Sequence, residues 1–123
     1  MANYFKVVKM KLYVFIMLVL FSSYSAATVH VSTITVSQID SFRLHTSKHY
    51  SSPTHNIATL RTSALLDTCS RGVFLDAETD QATYAAMMAA YLAGRDMEIR
   101  YDSNIGAPWG DTNYCAIIHF DIK

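Results

Sequence analysis

The sequence predicts an α+β domain, mostly β: a small OB-like barrel or sheet of five to six strands, covered by one α-helix over about residues 79–93. Three observations carry this. A strictly alternating stretch, Asp96 to Asp102, reads as a half-buried strand. An alanine-rich amphipathic stretch ending at Gly94 reads as a helix. Several other short β-branched or apolar runs, separated by turn residues, read as further strands.

Residues 1–27 stand apart from that domain. Lys6, Lys9 and Lys11 precede the apolar run Leu12 to Phe21, and small residues follow it up to Ala27. This order is that of a secretory signal peptide, with cleavage expected after Ala27 or, failing that, after Ser25. The apolar run is about half the ~20 residues that a membrane-spanning helix needs. The expectation is therefore a secreted or periplasmic protein, with residues 28–123 as a single domain and no stable membrane insertion after cleavage.

Within 28–123, Val29 and Val31 alternate with His30 and Ser32, and Ile34 and Val36 continue on the opposite parity. The change of parity predicts a bulge or bend near Ser32-Thr33 in a long first strand. Thr46 to Asn56 is polar, holds Pro53 and reads as a loop. Ile57 to Arg61 reads as a strand, Thr62 to Thr68 is open between turn and strand, and Cys69 to Asp76 reads as another strand around Val73, Phe74 and Leu75.

The helix is expected to start with Thr79 or Asp80 as N-cap. Tyr84, Met88, Tyr91 and Leu92 form the stripe that should face the sheet. In the alternating strand, Met97, Ile99 and Tyr101 point one way, and Glu98 and Arg100 the other. Ser103 to Asn113 reads as a long turn. Tyr114 to Ile122 closes the chain as a strand, with Ala116, Ile118, Phe120 and Ile122 on one face and Cys115, Ile117, His119 and Asp121 on the other.

Composition excludes some functions. Without the leader, seven Lys and Arg face ten carboxylates, a net charge of −3 with histidine neutral. No basic stripe exists to neutralise phosphates, which argues against nucleic-acid binding. Cys69 and Cys115 are the only cysteines, and in an exported domain they most simply form one disulfide. Two free thiols, one of them a nucleophile, is the other reading. His45, His49 and His55 lie in a loop without the helical context that would make them metal ligands. No G-x-S-x-G, S-x-x-K or glycine-rich phosphate loop occurs. No catalytic residue, metal or cofactor is assigned, and an enzyme is not expected.

The stretch Tyr101 to Tyr114 carries the one binding signal. Tyr101, Trp109 and Tyr114 flank a polar turn with Asn104 and Asp111. Aromatic faces beside short polar side chains suit a sugar, the rings covering its apolar face and the polar groups meeting its hydroxyls. A turn in which Trp109 plugs one end of the barrel is the competing reading.

Taken together, Phe74-Leu75-Asp76, the helix end Ala89 to Arg95, the strand Met97 to Tyr101 and the flanking cysteines resemble a group of short exported bacterial proteins, over Val31 to Ile122. Over Cys69 to Trp109 the pattern more distantly resembles the B subunits of subtilase-type and pertussis-type AB5 toxins. The resemblance implies an OB-like barrel and, for the toxin relatives, a ring-forming, glycan-binding module. The chain lacks the second disulfide of those subunits, and none of their sugar-contacting residues is carried over to it. The function expected is thus an exported non-catalytic binding module for a glycan or cell surface. The alternative is a periplasmic structural or assembly partner of another protein. Homo-oligomerisation is left open.

Overall fold

A computed structural model describes residues 6–9, 11, 28–49 and 52–123. The apolar run Leu12 to Phe21 and the expected cleavage sites lie outside the described residues. Six strands form one mixed sheet: β1 (Val29–Ile34), β2 (Ile39–Leu44), β3 (Ile57–Thr62), β4 (Gly72–Asp76), β5 (Met97–Gly106) and β6 (Tyr114–Ile122). Helix α1 (Gln81–Leu92) joins β4 to β5. The order across the sheet is β1-β5-β6-β4-β3-β2, with β4 and β6 parallel and the other neighbours antiparallel.

Chain connectivity makes this sheet curl. Its two edge strands, β1 and β2, are consecutive, joined only by Thr35 and a 3-10 turn, Val36–Gln38. A flat six-stranded sheet would hold its edges about 24 Å apart. The five steps from Ile34 to Ile39 can reach at most about 18 Å. The sheet therefore bends toward a barrel without closing. Gln38 fastens the corner: its carbonyl accepts from the Thr62 hydroxyl (2.7 Å), and its side-chain oxygen accepts from the Thr35 amide (2.9 Å).

The expected long first strand is instead two strands on opposite edges of the sheet, and the break falls after Ile34. Pairing of β1 with β5 runs without interruption from Val29 to Ile34, so no bulge falls at Ser32-Thr33. His30, Ser32 and Ile34 face inward, leaving Val29 and Val31 exposed. Valine preference for extended backbone is satisfied on either face, which is why parity alone misplaced the break.

One sheet face carries the main core beneath α1. Ile34, Leu60, Val73, Met97, Ile99 and Tyr101 are fully buried there, with Met87 and Ala90 of the helix packed on them. Burying one such aliphatic side chain contributes on the order of 2 kcal/mol. Phe42 of β2 stacks on both Tyr84 (5.8 Å) and Tyr91 (6.1 Å). The inward stripe differs from the expected one, since Leu92 is 77 % exposed and Met87 takes the buried position. Alanines and methionines surround the whole helix, so the apolar pattern fixes its rotation weakly.

The helix starts where expected, but without the expected cap bond. Asp80 occupies the N-cap position but makes no side-chain cap bond. Asp76 instead accepts from the amides of Glu78 (2.9 Å) and Thr79 (3.2 Å), ordering the turn that leads in. At the other end Gly94 takes φ +68°, as a left-handed stop requires.

The disulfide between Cys69 and Cys115 is formed, tying the loop before β4 to the start of β6 inside the main core. Gly72 opens β4 at φ +138°, where a Cβ would collide with the Leu60 carbonyl. Only glycine lets β4 approach β3 there. In β6 the expected strict alternation fails. A register shift opposite Arg100 and Tyr101 skips Ile118, so Cys115, Ile117 and Phe120 share the core face. β5 continues to Gly106, four residues beyond the expected strand.

Candidate functional site

The opposite sheet face builds a second, smaller structure. Residues paired directly across neighbouring strands share a face. The pairs Arg43–Thr59, Thr59–Phe74 and Gly72–Tyr114 therefore run across β2, β3, β4 and β6 on this side. Ile57, Phe74, Ala107 and Tyr114 form a compact apolar cluster, with Trp109 and Ala116 packed against it. Central strands buried on both sides explain why Val73-Phe74-Leu75 is apolar without alternation.

Above this cluster lies a cleft of about 400 Å³. Thr59 and Tyr114 are its buried floor; Trp109, His45 and His49 are half-buried in its lining, and Arg43 is exposed. The Trp109 ring stands 5.6 Å from Tyr114, 6.4 Å from Phe74 and 6.3 Å from His45.

The turn that presents Trp109 is held from within and from below. The Ala107 amide donates to the Asp111 carbonyl (3.0 Å), and the Gly110 amide to the Ala107 carbonyl (2.9 Å), with Gly110 at φ +91°. Both Asp111 carboxylate oxygens are engaged: Oδ1 accepts from the Asn113 amide (2.9 Å), and Oδ2 from the Arg71 guanidinium (2.7 Å). That guanidinium also lies 5.3 Å over the Tyr114 ring, a cation–π contact.

The other wall comes from the histidine-bearing loop after β2. His45 Nδ1 donates to the Ile57 carbonyl (3.2 Å) and His55 Nε2 to the His49 carbonyl (2.7 Å), while His49 Nδ1 bonds the Thr54 hydroxyl (2.6 Å). His45 and His49 meet edge to face at 4.7 Å. The loop is therefore knit to β3 rather than simply solvated. Among the described residues no three His, Cys, Asp or Glu side chains come together as a metal site.

The structure thus divides the five candidate residues. Trp109, Asp111 and Tyr114 meet in the cleft. Tyr101 does not: it is fully buried on the helix side, where its hydroxyl accepts from the Leu66 amide (2.7 Å) and bonds the Ser32 hydroxyl (2.8 Å). Its place in the strict alternation with Met97 and Ile99 already marked the core face. Asn104 is exposed on the far part of β5, outside the cleft lining. Sequence pattern sets His45 and His49 in a loop and marks neither Arg43 nor Thr59; only the pairing of β2 with β3 and β4 brings the four to the Trp109 turn.

A second polar cluster joins β1, β5 and the loop before β4. Asp67 Oδ2 accepts from Ser103 Oγ (2.7 Å) and lies 3.2 Å from His30 Nε2, which is 3.4 Å from the same Ser103 Oγ. These residue types suggest a hydrolytic triad, but the geometry does not. A triad uses one ring nitrogen for the serine and the other for the carboxylate; here Nε2 meets both, and serine gives its proton to the carboxylate. The cluster pins Asp67, at φ +58°, to the sheet. The Ser103 bond, then the His30 bond, hold the Asp67 carboxyl below its ordinary value of 3.8.

Among the described residues no helix is long and apolar enough to cross a membrane. No family model, curated protein or solved structure matches this chain.

Proposed function

We infer that this chain is an exported, non-catalytic binding module whose cleft recognises a glycan on a cell surface. The observation that carries the reading is the meeting of Trp109 with Arg43, His45 and Thr59 in one cleft of about 400 Å³. Pockets for small ligands combine an apolar surface with a few convergent polar groups. Trp109 supplies the stacking face. Tyr114, covered by Arg71 and only 7 % exposed, supports Trp109 from beneath instead of touching the ligand. Asp111 shapes the turn through its two engaged oxygens, leaving Arg43, His45 and Thr59 as the groups for sugar hydroxyls. Export is supported by the leader-like N-terminus and by the disulfide.

Presenting the protein to an immobilised panel of neutral and charged glycans tests this. Binding to at least one glycan is expected, with a loss of tenfold or more in Trp109→Ala. Absence of binding across the panel, or binding that survives Trp109→Ala, would contradict it.

A second reading, a structural or assembly partner of another periplasmic protein, is favoured by β1. It is an edge strand with Val29 and Val31 exposed at 45 % and 46 %, a form that strand addition by a partner chain can use. Val31→Lys would abolish a pull-down partner under that reading and leave glycan binding intact under the first.

A further inference from the structure

We propose that the cleft is built for an anionic sugar, one carrying a carboxylate, sulfate or phosphate, with Arg43 as the group that meets the charge. This rests on the glycan reading above and specifies the ligand class within it.

Charge distribution points there. Residues 28–123 carry a net negative charge, yet the cleft lining holds two arginines, Arg43 and Arg71, against a single carboxylate, Asp111. That carboxylate is already committed. Arg71 holds it at 2.7 Å, and the Asn113 amide takes its other oxygen. Arg71 and Asp111 offset each other, so Arg43 is left as the uncompensated charge. No carboxylate among the described residues pairs with it.

Placement agrees with charge. Arg43 sits directly opposite Thr59 on the same sheet face, so its guanidinium and the Thr59 hydroxyl border one region of the cleft lining. Trp109 lines the cleft from the 107–112 turn, next to His45. A sugar ring stacked on the indole would carry its charged substituent toward β2, where a guanidinium can donate two parallel hydrogen bonds to a carboxylate, sulfate or phosphate. A neutral sugar would leave this guanidinium unmatched.

Calorimetric titration of the protein with N-acetylglucosamine, its 6-sulfate, its 6-phosphate and glucuronate, alongside free sulfate and acetate, decides the matter. At least one charged sugar should bind about tenfold more tightly than the neutral one, and the margin should shrink as salt rises. Arg43→Gln, on an exposed side chain, should keep the wild-type melting temperature and erase the preference. Trp109→Phe should weaken charged and neutral sugars alike. Equal binding of charged and neutral sugars, or a preference that survives Arg43→Gln, overturns the anionic assignment while the glycan reading stands. Free sulfate or acetate binding as well as the sugar-linked group overturns the joint site. No binding by any sugar overturns both readings.

Discussion

His45 and Trp109 hold their rings 6.3 Å apart in the cleft lining, one at the end of β2 and the other in the turn between β5 and β6. Neither element touches the other in the sheet order, where β3, β4 and β6 intervene. The side chains meet because the sheet curls and because Arg71 anchors the Trp109 turn over Tyr114.

The disulfide should carry much of the stability. It spans 46 residues, for which chain entropy in the unfolded state amounts to about 4 kcal/mol. Reduction, or a paired Cys69→Ala and Cys115→Ala change, should lower the denaturant midpoint by a corresponding amount. A midpoint that barely moves would place the constraint elsewhere.

Tyr101 should prove structural. Tyr101→Phe keeps the ring but leaves the Leu66 amide without its acceptor, a loss of about 1–2 kcal/mol. Glycan affinity should be unchanged. A drop in affinity without a drop in stability would return Tyr101 to the binding site.

Acid should loosen the loop before β4. The Asp67 carboxyl titrates below its ordinary value of 3.8 in the folded chain. Its contribution is therefore complete above that value and is lost as pH falls through the lowered one. Lys123 behaves in the opposite sense: its bond to Glu98, then the Glu98 charge, raise it above 10.5. That contribution is complete below 10.5 and is lost as pH rises through the raised value. Stability measured against pH should fall less steeply on the acid side in Asp67→Asn, with the basic side unchanged.

Much of the scaffold was legible in the sequence because it is written in short-range pattern. Met97, Ile99 and Tyr101 alternate, and all three are fully buried; Gly94 stops the helix; two cysteines in a small domain pair. What failed depends on contacts distant in the chain. The Ile118 bulge arises from pairing with β5, the rotation of α1 from the sheet beneath it, and the corner after Ile34 from the need to join two opposite edges. A third of the cleft lining was legible for the same reason: Trp109, Asp111 and Tyr114 are neighbours in sequence. Arg43, His45 and Thr59 become their neighbours only through strand order.

Trp109 is the chain's only tryptophan, so its indole N–H is a single, assignable probe of the cleft. Amide and indole NMR shifts, recorded while the best-binding glycan is titrated in, locate the surface it occupies. The largest shifts should fall at Trp109, Arg43, His45 and Thr59, with β1 silent. Shifts centred on Val29 and Val31, with the Trp109 indole unmoved, would contradict it.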